Sequence, residues 1–169
     1  MNSDALATLQ SGPLHRFADW PNPDVPAVAI GLYTIWRREE FIYVGLAGRT
    51  SETVLLGAHA VGRASGLRDR IRSHASGRRI GDQFCVYVAD RLVLPALTRE
   101  QIDTIAHARV AFDSIVRDYI HEHLAYRFFA LPDLSADAQR QTRELERFIR
   151  RGATPMGTPL LNPHAHRRP

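Results

Sequence analysis

Two tyrosines and an arginine–histidine pair are the residues of this 169-residue chain whose types and spacing can do chemistry. The tyrosines stand in GLY (31–33) and YVG (43–45), on either side of the charged stretch RREE. The pair, Arg70 and His74, lies in LRDRIRSHA. A guanidinium is a permanently charged fork that matches phosphate oxygens, and an imidazole titrates near neutrality. Together they suit proton transfer beside a bound anion.

The elements that must position these groups follow from the apolar pattern. Ile30, Leu32, Ile35 and Trp36 before the turn, and Phe41, Ile42 and Val44 after it, predict a β-hairpin. An antiparallel pairing centred on Arg38 sets Tyr33 opposite Tyr43 and Gly31 opposite Gly45. Both phenols then share one face with Cβ atoms about 5 Å apart. Gly31 and Gly45 leave the strands bare beside them, which makes room for a ligand. An aromatic pair packed in a core is the alternative. Residues 67–75 predict a short helix with Leu67 and Ile71 on its buried stripe. Arg70 and His74, four apart, fall on one edge of that stripe, while Arg68 and Arg72 point to solvent.

Further along, FCVYVA predicts a strand over 84–89, with Cys85 as core filler. Ile102, Ile105, Phe112, Val116 and Tyr119 predict one long amphipathic helix over 98–121. A strand over 125–131 is stopped by Pro132, and a helix over 135–151 by Gly152. Residues 1–26 carry Pro13, Pro21, Pro23 and Pro26 and suit an N-terminal arm or lead-in. The expected architecture is one small α/β domain over 27–165. Its mixed, largely antiparallel sheet is flanked by helices, and the helix near 98–121 is an insertion.

Composition narrows the function classes. A single cysteine excludes an internal disulfide and a multi-cysteine zinc site. With no run of membrane-spanning length and no signal-like start, the expectation is a soluble, cytoplasmic protein. All 22 basic residues are arginine, and the net charge is +4. Six arginines stand against one aspartate between Arg63 and Arg79, a local excess of five that suits an anionic partner. HEHLA at 121–125 lacks the second histidine that a zinc-protease helix places at its fifth position. The glycines at 62 and 66 lack the Lys-Ser/Thr of a phosphate loop, and HAHRR near the C-terminus reads as a basic tail.

GLY, YVG, Arg70 with His74 four residues on, and PLLN ending at Asn162 together resemble the GIY-YIG nuclease family, in order, over residues 29–162. Leu32 and Val44 replace the family's isoleucines inside the strands. The resemblance implies a divalent-metal-dependent endonuclease that hydrolyses DNA phosphodiester bonds with one Mg²⁺ or Mn²⁺ ion. It implies a metal-binding glutamate in a Leu-Glu-x-x-Leu/Ile phrase. LERFI makes Glu146 the match, with Glu144 and then Glu122 as rivals that the helical wheel leaves open. Arg70 would compensate transition-state charge, and Tyr33 would act as base or orient the water. Tyr43 would position Tyr33 or a phosphate. Asn162 would fix the tail over the site or hydrogen bond near the metal. Arg68, Arg72, Arg78 and Arg79, with the bare backbone of Gly31 and Gly45, would meet nucleic acid.

A free phenol has a pKa near 10, so making it a base at neutral pH takes about 4 kcal/mol. Some family members use a nearby lysine for this, and this chain has no lysine. Arg70, the metal or His74 must then take over the task. A non-catalytic nucleic-acid-binding module that keeps the fold, or an RNA-directed nuclease, are the other readings of the same pattern.

Overall fold

Residues 30–37 alternate their apolar groups to both sides because the strand they form has protein on both. In the computed structural model, which describes residues 3–27, 29–48, 66–131 and 135–162, this strand lies inside a four-stranded sheet. The elements are α1 (Ser3–Ser11), β1 (His15–Arg16), β2 (Ile30–Arg37), β3 (Glu40–Ala47), α2 (Leu67–Ala75), α3 (Gln83–Val88), α4 (Arg99–Ala106), α5 (Phe112–His123), β4 (Leu124–Leu131) and α6 (Ala136–Arg150). Strand order is β1-β4-β2-β3, and every pairing is antiparallel, so the expected mixed sheet is antiparallel throughout the described residues.

The period of two divides β2 between two cores. Leu32 and Trp36 pack with Ala5 and Leu9 of α1 and with Leu145 and Ile149 of α6. Tyr33 and Ile35 face the other way, onto Leu67 and Ile71 of α2, Phe84 and Val88 of α3, and Val116 and Ile120 of α5. Thr34, buried among apolar neighbours, donates to the Leu9 carbonyl at 2.8 Å and accepts from Trp36 Nε1 at 2.9 Å, so its hydroxyl is satisfied as both donor and acceptor.

Register departs from the expected pairing. The turn has two residues, Arg38 and Glu39, with Arg38 in the left-handed region (φ 57°), so Arg37 pairs with Glu40. A bulge between Ile35 and Trp36 then shifts the ladder again, leaving Ile42 the extra residue. Tyr33 therefore lies opposite Gly45, Ile35 opposite Tyr43, and Gly31 opposite Ala47. The two tyrosines are diagonal neighbours on one face.

Three other expectations change. Residues 83–88 are a helix, not a strand: Asp82 caps it by accepting from the Phe84 and Cys85 N–H groups, and Phe84, Cys85 and Val88 bury at helical spacing. The long helix over 98–121 is two helices. Thr98 and Gln101 form a capping box that starts α4, and Ala108 (φ 53°) breaks the chain before α5. Among these residues only α5 buries side chains fully, at Val116 and Ile120, while Ile102 of α4 is exposed. The N-terminal residues are not a loose lead-in, because α1 covers the sheet, β1 pairs with β4, and Phe17 is buried.

The helix over 67–75 and the one ending before Gly152 (φ 72°) form as expected, and Ser135 caps α6 by accepting from the Ala138 N–H. Ala138, Thr142, Leu145 and Ile149 make the stripe by which α6 docks. No helix among the described residues is long and apolar enough to cross a membrane. The stretch 49–65, with Arg63 and Gly62, and the tail beyond 162 lie outside the described residues.

Candidate active site

Tyr33 and Tyr43 come from adjacent strands with ring centroids 6.3 Å apart. Their surroundings differ: Tyr33 is 1% exposed, whereas Tyr43 reaches toward solvent. Gly45 opposite Tyr33 explains the fit, since a β-carbon at 45 would collide with the Tyr33 hydroxyl. A β-carbon at Gly31 would press into the Phe129 carbonyl and Leu67. The space expected beside both glycines is thus taken by the protein itself, and neither backbone is open to a ligand.

Helix α2 brings Arg70 and His74 to these rings. Leu67 and Ile71 anchor its buried face, which turns His74 inward and leaves Arg70 at the surface. Tyr33 Oη and His74 Nε2 are 2.7 Å apart. On the far side of the imidazole, Nδ1 is 2.7 Å from Asp82 Oδ2. The second carboxylate oxygen, Oδ1, accepts from the Phe84 and Cys85 backbone N–H groups at the start of α3. Phe84 closes the aromatic wall, 4.6 Å from the His74 ring and 5.0 Å from Tyr43. Asp82 and Phe84 were not expected here. An aspartate preceding an apolar run is a helix N-cap signal that competes with the strand reading.

Burial pushes the Tyr33 phenol well above its ordinary value, helped by Tyr43, and Arg70 pulls it the other way. Tyr43 is pushed up to about 12, again chiefly by burial and against Arg70. Asp82 and Glu146 raise both phenols further, which places Arg70, Asp82 and Glu146 within electrostatic reach of the tyrosine pair. Burial holds His74 below the usual imidazole range despite its bond to Asp82. For Asp82 burial acts upward, but hydrogen bonds led by His74 outweigh it and hold the carboxyl below its usual range.

What marks Arg70 and Glu146, with buried Asp82, off from the other charged side chains is that they act on the tyrosine pair. Some arginines are paired with an acid, Arg72 with Asp69, Arg79 with Asp113, Arg37 with Glu40 and Arg117 with Asp118, while others, Arg38, Arg78, Arg143 and Arg151 among them, have no ion pair within the described residues. Arg70 has no such partner among the described residues. Glu146 has a side chain only 13% exposed, one long contact to Arg150 at 3.4 Å, and a pKa raised by burial against the pull of Arg150 and Arg147. A half-buried, weakly paired carboxylate fits a hard cation that keeps most of its own waters. Glu144 instead borders an apolar hollow of about 330 Å³ with Leu32, Phe129 and Phe148, on the opposite face of the sheet. Glu122 is exposed beside the hairpin turn, lining a cleft with Arg37, Arg38 and Tyr119.

Asn162 is placed as a clamp. Its side chain accepts from the Val44 N–H at 2.8 Å and donates to the Val44 carbonyl at 2.9 Å, while the Leu161 N–H reaches the Ile42 carbonyl at 2.7 Å. The tail thus pairs with the free edge of β3, and Asn162 spends its amide on that edge. Arg68 is also structural: its Nε donates to the Val25 carbonyl at 2.7 Å. Arg79 donates to Asp113 and lies over the Phe112 ring. Arg72 and Arg78 remain exposed.

One further group has metal-ligand atom types. His74, Asp82 and Cys85 bring their ligand atoms within 4.8 Å of one another. The cluster is closed to solvent, and both His74 nitrogens are already taken up by hydrogen bonds with Tyr33 and Asp82. Its donors fit hydrogen bonding better than coordination. No family model, curated protein or solved structure matches this chain.

Proposed function

We propose that this protein is a GIY-YIG-like, divalent-metal-dependent endonuclease that hydrolyses DNA phosphodiester bonds. The observation that carries the reading is that Arg70 of α2 and Glu146 of α6 both lie within electrostatic reach of Tyr33 and Tyr43, the second of which is only partly buried.

Each group has a task that its chemistry suits. The Arg70 fork holds two non-bridging oxygens of the scissile phosphate and offsets charge that grows there in the transition state. Tyr43, the phenol that reaches solvent, orients the attacking water through its hydroxyl. It is not a stored phenolate, since at a pKa of about 12 ionisation at neutral pH costs about 7 kcal/mol. Tyr33, sealed behind it, touches no substrate. Glu146 would hold the Mg²⁺ or Mn²⁺, which when bound supplies Lewis acidity to the phosphoryl group, the water and the leaving oxygen. Arg72 and Arg78 add phosphate contacts outside the site.

Nicking of supercoiled plasmid tests this, with wild type, Arg70→Ala and Glu146→Gln compared in Mg²⁺, in Mn²⁺ and in chelator. Metal-dependent nicking that Glu146→Gln loses while still binding DNA is expected. An intact plasmid with wild type in every divalent ion, with DNA binding retained, would leave a nucleic-acid-binding module. A labelled RNA run in parallel separates the RNA-directed alternative.

A further inference from the structure

We propose that Asp82 is a positioning residue that makes Asp82, His74 and Tyr33 a one-way hydrogen-bond chain, turning the Tyr33 oxygen into an acceptor toward Tyr43. The role rests on the endonuclease reading above, while the direction of the chain stands on geometry alone.

The direction follows from what each atom can do. Asp82 Oδ1 already accepts two backbone N–H groups of α3, an arrangement that favours the ionised carboxylate, so Oδ2 can only accept from His74 Nδ1. Nδ1 therefore carries the hydrogen. In the neutral imidazole, Nε2 then presents a lone pair, and across 2.7 Å the Tyr33 hydroxyl donates to it. The neutral ring is supported by burial, which depresses the His74 pKa. With its hydrogen committed inward, the Tyr33 oxygen has only lone pairs left for the side on which Tyr43 stands. The His74 ring cannot turn to trade its nitrogens, because Phe84, Tyr33 and Tyr43 pack around it at 4.6, 5.4 and 6.0 Å.

The chain gives the proton of the attacking water somewhere to go. As the water oxygen bonds to phosphorus, its proton passes to the Tyr43 oxygen, and Tyr43, whose ring stands 6.3 Å from that of Tyr33 with no direct hydrogen bond between them, closes on Tyr33 to hand over its own proton. The Tyr33 proton moves to His74 Nε2, forming an imidazolium that the Asp82 carboxylate stabilises. The P–O bond to the leaving group breaks, and the leaving oxygen takes a proton from solvent. His74 returns its proton through the same chain, so the net change is one water added across one phosphodiester. No stable phenolate forms, which meets the difficulty raised by two phenols whose pKa values lie above 10 in a chain without lysine.

The groups that bear on His74 are Tyr33 from β2, Tyr43 from β3, Arg70 from its own helix, Asp82 and Cys85 from the start of α3, and Glu146 from α6 through the tyrosines. Of these Asp82 raises the imidazole pKa, and Arg70 lowers it. Replacing Asp82 by Asn keeps an N-cap acceptor for α3 but removes the anion. The Asn amide can also donate to Nδ1, which reverses the tautomer and turns the chain around. In serine-hydrolase triads the matching exchange costs about 10⁴-fold in kcat.

The test is ¹⁵N NMR of the His74 ring together with pH–rate profiles, for wild type and Asp82→Asn. Wild type at pH 8 is expected to show neutral His74 protonated at Nδ1, and Asp82→Asn protonated at Nε2. Asp82→Asn is expected to lower kcat about 10²-fold or more with KM unchanged and to move the acid limb to lower pH. A purely structural cap would not move that limb. A wild-type ring protonated at Nε2 overturns the proposal and needs no variant to fold. So does an Asp82→Asn protein with wild-type kcat and an unshifted limb. If the tautomers are as expected but wild type cuts no nucleic acid, the hydrogen-bond chain stands and the endonuclease reading fails.

Discussion

The sealed line of Tyr33, His74 and Asp82 and the open rim of Tyr43, Arg70 and Glu146 share one hairpin and one helix, and each adds a carboxyl from elsewhere, Asp82 from the cap of α3 and Glu146 from α6. Inside, every polar group is answered: Tyr33 meets His74, His74 meets Asp82, and Asp82 caps a helix. At the rim, Arg70 has no carboxylate among the described residues, and Glu146 has one long contact. A hydrogen-bond chain complete in itself holds a shape. Charges left short of partners at a surface are held by water and stay free to meet a ligand. A guanidinium and a carboxylate in that state beside a phenol suit an anionic substrate and a cation together.

The largest effect separating the two regions is expected from Glu146→Gln. Removing the rim carboxylate lowers metal-dependent cleavage by about 10³-fold, within the range that loss of a charge-stabilising group produces. Thermal stability holds, since burial already raises the pKa of this group and the neutral isostere avoids that cost. Melting curves beside initial rates check both parts. Arg70→Lys comes next: the charge stays but the fork is lost, and kcat falls about 10²-fold. A lysine variant as active as wild type would show that only the charge at 70 matters.

Much of this arrangement is legible in the sequence, and the gaps have physical causes. The hairpin, the helix carrying Arg70 and His74, and the helix carrying Glu146 follow from strict apolar periods and clear end signals. Register did not, because a two-residue turn and a bulge each move the pairing, and neither leaves a mark in the pattern of Phe41, Ile42 and Val44. FCVYVA satisfies either period, so its pattern suits a strand as well as the helix it forms, and the deciding residue, Asp82, lies just ahead of it. With a strand at 84–89, Asp82 has no cap role and no reason to face His74. The long helix failed at Ala108, whose left-handed backbone breaks a stripe that would otherwise run on. Glu144 and Glu146 flank one stripe in the sequence, and only the folded helix turns Glu144 to the hollow beside Leu32 and brings Glu146 within electrostatic reach of the tyrosines.

Smaller effects sharpen the contrast. Asn162→Ala removes both side-chain hydrogen bonds to Val44 and leaves a buried N–H and C=O unanswered, costing about 1–3 kcal/mol in urea denaturation. Activity should fall only as far as stability does, since Asn162 holds β3 and touches no reacting atom. Acid tests the sealed line. His74 in the folded chain titrates below the 6.5 of the unfolded chain, so between those values the unfolded state binds a proton the folded state refuses. Its share of stability is complete above pH 6.5 and drains away as pH falls, by at most about 1.4 kcal/mol per unit. Asp82, held below 3.8, adds a loss of the same sign at lower pH. Urea midpoints that stay level from pH 8 to pH 5 would mean that His74 is not buried neutral. Smallest of all, Arg72→Gln or Arg78→Gln weakens DNA binding evenly across sequences and reduces its salt slope by about 1 each.

Saturable line broadening by Mn²⁺ in NMR spectra of the full chain most directly asks whether the rim is a cation site. Broadening is expected to be strongest at Tyr43 and Arg70, to disappear in Glu146→Gln, and to persist in Glu144→Gln. Broadening centred instead on the His74, Asp82 and Cys85 cluster or on the Glu144 hollow, or undiminished by Glu146→Gln, would contradict it.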